Sequence, residues 1–287
     1  MTTLPAKVGV IGGGRMGSGI AHAFLIKGCD VTVIEAMPQF AEAARERVEQ
    51  AVAKSIERGA TDINLDATLE RFRVEIDTNA LADRELVVEA VPEDWDMKVA
   101  TLQNAEKALA ETAVIATNTS SLSVTGLAEQ LQRPGQFLGL HFFNPVPAST
   151  LVEIVQQPQT SDELKAIAPG WVQALGKTPI VVNDAPGFAS SRLGVAIALE
   201  AMRMVEEGVA SAEDIDLAME LGYKHPAGPL KTTDIVGLDV RLGIAEYLHS
   251  TLGERFAPPQ ILRDKVAAGE LGRKSGKGFY DWSQDAK

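Results

Sequence analysis

The chain has 287 residues, more than one ordinary domain holds, so two domains are expected. Its formal charge of −12 excludes a general nucleic-acid binder, because such proteins present net positive surface to phosphates. No stretch is apolar enough to span a bilayer, and glycines stop the first apolar run too early for a signal-peptide core, so a soluble cytoplasmic protein is expected, without a nucleic-acid or membrane partner.

The chain opens with "KVGVIGGGRMGSGIAHAFLIKGCDVTVIEAM". Val8, Val10 and Ile11 read as a buried parallel strand that ends in Gly12, Gly14 and Gly17 at G-x-G-x-x-G spacing. A small-residue helix follows and closes at Gly28, and a second apolar run, Val31 to Ile34, ends in Glu35. Gly12 permits a tight turn, Gly14 a close approach of backbone to a pyrophosphate, and Gly17 close helix–strand packing. The helix N-terminus adds N–H donors and partial positive charge for that anion. Glu35 suits the two hydroxyls of an adenosine ribose and would repel a 2′-phosphate, so the expected cofactor is NAD rather than NADP. Cys29, the single cysteine, precedes the apolar "VTVI" and reads as structural.

Residues 39–58 read as an amphipathic helix with Arg47, Lys54 and Arg58 on one face, which by spacing alone is an ordinary solvated face. "FRVEI" and "LVVEAVP" are strand candidates, with helix-forming "DMKVATLQNAEKALAE" after the second. "AVIATNTSS" is a strand ending in Asn118, Thr119, Ser120 and Ser121, and these serines suit a helix cap. "FLGLHFF" and "LVEIVQ" are strands joined by a proline-rich turn, and "PIVV" is the last strand. From Ser190 the periodicity is helical. The expected fold is therefore α/β, a Rossmann-type doubly wound parallel sheet over residues 1–183, followed by a smaller all-α domain over 184–287. Glu35, Glu93, Ser120 and His141 all lie at or just after carboxyl ends of strands, where such sheets bind ligands.

Taken alone, His141 in "LHFF" suits a hydrogen-bonded core histidine, and Glu153 suits either a solvent-facing or a functional strand position. No Cys/His cluster has metal-ligand spacing, so no metal is expected.

With "NTSS", "HFFNPVP", "PGF" and the final "LGRKSGKGFYDW" in order behind the glycine turn, the chain resembles the L-3-hydroxyacyl-CoA dehydrogenase family over nearly its whole length. The resemblance implies a Rossmann domain and a helical dimerisation domain with NAD and substrate in the cleft between them, an acyl-CoA substrate, and a homodimer. It implies His141 as catalytic histidine, Glu153 as its paired carboxylate, Ser120 at the reacting oxygen and Asn144 at the nicotinamide. Met16, Glu93, Lys98, Asn118 and Lys274 fall on further cofactor positions, and Lys54 and Arg58 become candidates for the CoA nucleotide. Three positions depart from the family pattern. Ser191 in "PGFASSR" replaces an active-site asparagine, Ala51 replaces a serine, and Ala227 in "HPAGP" replaces a methionine.

The chemistry fits these residue types. Oxidising a secondary alcohol with NAD leaves the protein to handle a proton, and an imidazole titrates near neutral pH. A carboxylate on the other ring nitrogen sets the tautomer and stabilises the imidazolium. The expected reaction is interconversion of a short-chain L-3-hydroxyacyl-CoA and its 3-ketoacyl-CoA. The alternatives are NAD-dependent oxidation of a non-CoA hydroxy acid such as a sugar acid, and a non-catalytic NAD-binding protein.

Overall fold

A computed structural model describes residues 3–284. The chain divides into two compact units, Met1–Asp184 and Ala185–Lys287.

The first unit contains β1 (Lys7–Ile11), α1 (Arg15–Leu25), β2 (Asp30–Ile34), α2 (Pro38–Glu57), α3 (Leu65–Leu69), β3 (Phe72–Glu75), β4 (Leu86–Glu89) and α4 (Trp95–Ala108). It continues through β5 (Val114–Thr117), α5 (Val124–Ala128), β6 (Phe137–Phe142), β7 (Leu151–Gln156), α6 (Asp162–Ala174) and β8 (Thr178–Asn183). One eight-stranded sheet results, in the order β3-β2-β1-β4-β5-β6-β7-β8. The order reverses at β1, which pairs in parallel with both β2 and β4, and this places the glycine turn at the switch point. β4, β5 and β6 are buried along their whole length, as strands covered on both faces are.

One junction departs from a wholly parallel sheet. β7 runs antiparallel to β6, with His141 opposite Glu153, and β8 returns parallel to β7. The connection of residues 143–150 is too short for a crossover helix, so the chain reverses directly. α6, which carries Pro169 within it, has no counterpart among the elements predicted from sequence. Ser161 caps it by accepting the Leu164 N–H at 3.2 Å.

The second unit contains α7 (Ser190–Glu206), α8 (Ala212–Leu217), α9 (Pro229–Val236), α10 (Leu238–Leu252) and α11 (Gln260–Ala267) around Leu199, Met202, Leu230, Leu248 and Leu262. Two buried aspartates tie its end in place. Asp216 accepts the Leu230 and Lys231 N–H groups that open α9, each at 2.8 Å, and the Tyr280 hydroxyl at 2.8 Å. Asp234 accepts the Phe279 and Tyr280 N–H groups and Trp282 Nε1 at 2.9, 2.8 and 2.8 Å. A Cβ at Gly278 would lie 2.2 Å from the Asp234 carboxylate, which explains a glycine before "FYDW". No helix among the described residues is long and apolar enough to cross a membrane.

Candidate active site

The glycine turn is shaped by contacts that only glycine allows. Gly12 has φ +92°, and a Cβ on Gly17 would stand 1.7 Å from Gly12 O, so α1 meets β1 with no room for a side chain. Around Gly14, by contrast, a Cβ would meet nothing within 4 Å, and Gly14 caps α1 without any side-chain hydrogen bond. Open backbone at an uncapped helix N-terminus is what a pyrophosphate needs, so these residues fit NAD. Glu35 accepts the Gly13 N–H at 2.7 Å, and Arg47 donates to Gly13 O at 3.2 Å. Gly13 is therefore a third necessary glycine that the spacing motif missed, and its Cβ would lie 2.3 Å from that of Ala44. Three consecutive glycines were the only sequence signal for it. Met16 is half-buried against the core beside this turn.

A second cluster lies at the ends of β4 and β5. Glu93 Oε1 accepts the Thr119 hydroxyl at 2.6 Å, the Ser120 and Ser121 N–H groups at 2.9 and 3.0 Å, and the Ser121 hydroxyl at 3.0 Å. Ser120 Oγ is 3.3 Å from the same oxygen. Burial alone would raise the Glu93 pKa. The Lys98 charge and the hydrogen bonds from Thr119, Ser120 and Ser121 outweigh it and hold the carboxyl below its ordinary value. Ser123, rather than Ser120 or Ser121, caps α5 through Gly126 N–H at 3.0 Å.

Lys98 is 1 % exposed, and its Nζ lies 2.7 Å from Glu89 Oε1, 3.2 Å from Val91 O and 3.4 Å from Glu93 Oε2. Glu89, fully buried, also accepts the Thr117 hydroxyl at 2.6 Å. Removing one member of such a buried pair typically costs about 3–5 kcal/mol. Neither Glu89 nor this network was singled out from sequence, since an acid inside "LVVEAVP" carries no mark of its partner.

The third cluster is at β6 and β7. His141 Nδ1 lies 2.7 Å from Glu153 Oε2, and the two residues are 6 % and 0 % exposed. The Phe143 ring packs on the imidazole at 4.4 Å between centroids. Asn118 Oδ1 accepts the Phe142 N–H at 2.8 Å, which ties the end of β5 to the residue after His141. Asn144 is exposed in the turn that follows, and its peptide bond to Pro145 is cis.

The remaining predicted residues lie elsewhere. Lys54 is exposed on the last turn of α2 and Arg58 is its C-cap, and neither enters an ion pair among the described residues. Arg47 leaves the expected cationic face for the glycine turn. Ser191 is half-buried in the first turn of α7, and Lys274 pairs with Asp239 at 2.6 Å, both within the second unit.

A glycine turn at the switch point of a doubly wound sheet, opening onto an uncapped helix N-terminus, defines the class of dinucleotide-binding folds. Comparison with known proteins narrows the class. The 3-hydroxyacyl-CoA dehydrogenase NAD-binding-domain model matches residues 7–185, and the model of that family's C-terminal domain matches residues 187–282. A Deinococcus radiodurans protein named "Probable 3-hydroxybutyryl-CoA dehydrogenase" is 42 % identical over 277 residues, covering 96 % of this chain and all of that one. Crystal structures of FadB2 from M. tuberculosis and of the (S)-3-hydroxybutyryl-CoA dehydrogenase PaaH1 from Ralstonia eutropha each superpose with a TM-score of 0.92, at 38 % and 36 % identity. Each covers 97 % of this chain and 99 % of the other. The chain belongs to the 3-hydroxyacyl-CoA dehydrogenase family, as an NAD-dependent enzyme.

Proposed function

We propose that the chain interconverts a short-chain L-3-hydroxyacyl-CoA and its 3-ketoacyl-CoA, with His141 moving the hydroxyl proton and Glu153 orienting the ring. The carrying observation is the 2.7 Å contact between His141 Nδ1 and the fully buried Glu153 carboxylate. A carboxylate only accepts, so Nδ1 keeps its proton and Nε2 is the basic nitrogen. Bound NAD supplies the hydride acceptor. His141 takes the proton from the alcohol oxygen in oxidation and returns it in reduction, and Glu153 stabilises the imidazolium between those events. Ser120 polarises the reacting oxygen, and the bonds it makes to Glu93 set the position of its loop.

The same reading assigns Gly12, Gly14, Gly17, Met16, Glu35, Asn118 and Asn144 to NAD. Glu93 shapes the cofactor-side loop, while Lys98 acts through Glu89 and Glu93 as a positioning residue. Lys54 and Arg58 meet CoA phosphates, and Ser191 serves as a shorter substitute for the family asparagine. Lys274 is assigned to NAD as well. A short acyl chain is supported by relatives whose names specify 3-hydroxybutyryl-CoA. A homodimer through the second unit is supported by its exposed apolar side chains, among them Leu193, Val209, Leu221 and Tyr223.

The deciding assay follows NADH absorbance with acetoacetyl-CoA and with free acetoacetate. Turnover of the CoA ester at least about a hundredfold more efficient than that of the free acid is expected. Equal efficiency would sink the CoA reading in favour of a free hydroxy acid, the alternative that Ser191 keeps open.

A further inference from the structure

Residues 143–150 join the strand of His141 to the strand of Glu153. Pro145 and Pro147 have no N–H, and inside the turn only Ala148 and Ser149 donate to backbone, both to Pro145 O at 3.0 Å. The stronger fastening comes from outside. Lys177, just ahead of β8, donates through Nζ to Val146 O at 2.6 Å and to Ser149 O at 2.5 Å. The adjacent Thr178 N–H donates to Thr150 O at 2.6 Å. On its other side the turn rests on α1. Val146 is 2 % exposed, and a Cβ on Gly19 would lie only 2.8 Å from Val146 Cβ.

Lys177 is half-buried and forms no ion pair among the described residues. Burial lowers its pKa. A partly desolvated ammonium whose bonds go to two carbonyls of one turn is a costly device if the turn needs only packing, since an apolar side chain would serve. His22, on the same helix as Gly19, does not compete as a second cation. Its own burial, and then the Lys177 charge, push its pKa down to about 4.

We infer that Lys177 is a positioning residue for the nicotinamide end of the cofactor, clamping the 143–150 turn so that Asn144 is presented beside His141. This inference rests on the roles proposed above for Asn144 and His141. The clamp has two jaws, Lys177 on the turn's carbonyls and Gly19 of α1 against Val146, so the helix that receives the pyrophosphate also sets the turn that meets the nicotinamide.

The test compares NADH with ADP-ribose, which shares the adenosine and both phosphates but lacks the nicotinamide, by fluorescence or calorimetric titration. Lys177→Met removes both donors and keeps the aliphatic stem. NADH affinity should fall about tenfold, ADP-ribose affinity should stay within about twofold, and kcat should fall about tenfold or more, with KM for acyl-CoA little changed. Lys177→Arg should recover most of the loss. An equal fall in both affinities, or a lower Tm with the NADH to ADP-ribose ratio and kcat unchanged, would overturn the inference. If Lys177→Met does not fold, Gly19→Ala pushes Val146 from the other side and should give the same NADH-selective loss; an unchanged ratio there counts against the clamp. Neither titration involves proton transfer, so failure of His141 as the base is read separately, from the turnover of His141→Gln.

Discussion

Two buried histidines of the first unit are held in opposite ways, and their chemistry differs accordingly. His141 has a carboxylate 2.7 Å from Nδ1. His22 has only the Ser55 hydroxyl on Nε2 at 2.8 Å, and its Nδ1 is buried without a partner. If Glu153 orients and charges His141, then His141→Gln should lower kcat by about three orders of magnitude and Glu153→Gln by about two. The double variant should be little worse than the worse single one, with NADH affinity within about twofold, as read by stopped-flow absorbance and NADH fluorescence. For His22 the folded pKa of about 4 lies below the ordinary 6.5, so the unfolded chain binds the extra proton first as pH falls. The stability this contributes is complete above pH 6.5 and is lost as pH falls from there through 4. Denaturant titrations at pH 7 and pH 4.5 should show His22→Gln losing roughly 2 kcal/mol less than the parent across that interval.

At the scale of elements, the glycine turn separates packing from binding. Gly17→Ala forces a Cβ to 1.7 Å from Gly12 O, so α1 cannot keep its place on β1, and both Tm and NAD affinity should drop. Gly14→Ala meets nothing within 4 Å at an extended φ of −64° and ψ of −168°, so Tm should hold within a few degrees. NADH affinity should nonetheless fall about tenfold or more if backbone there approaches the pyrophosphate. A Gly14→Ala enzyme with normal affinity would remove Gly14 from the cofactor site. At the C-terminal end of α2, Lys54 and Arg58 are exposed and enter no ion pair among the described residues. Arg58→Ala should raise KM for acyl-CoA a few-fold at low salt, less at high salt, with kcat unchanged. α6 shows where element reading fails, because Pro169 inside a helix is a local breaker that the packing of Leu164, Ala168 and Trp171 overrides.

For the whole molecule, the second unit buries its own core around Leu199 and Leu248 yet leaves Leu221 68 % and Tyr223 75 % exposed. Both belong to the single helical turn of residues 218–223, the patch on which the proposed homodimer would rest. Sedimentation should give twice the chain mass, and Leu221→Asp with Tyr223→Ser should shift the enzyme toward monomer while leaving its helical content unchanged. A monomeric parent at micromolar concentration would end the dimer assignment.

The glycine spacing and the acid after the second strand are local patterns, and from them the sequence by itself determined the Rossmann class and NAD as the cofactor, while His141 and Glu153 became candidates only through the family resemblance carried by "NTSS", "HFFNPVP" and "PGF". The local patterns are legible because strand and turn propensities act over a few residues and leave a periodic trace. Only the tertiary structure decided which charges meet. Glu93 gathers Thr119, Ser120 and Ser121 from more than 25 positions away, Lys98 is spent on Glu89, and Arg47 leaves its helix face for Gly13. Lys177 fastens a turn that lies about thirty residues before it. Such contacts are set by the order and register of the strands, with β7 turned antiparallel to β6, and a side chain's distant partner leaves no periodicity in the sequence around it.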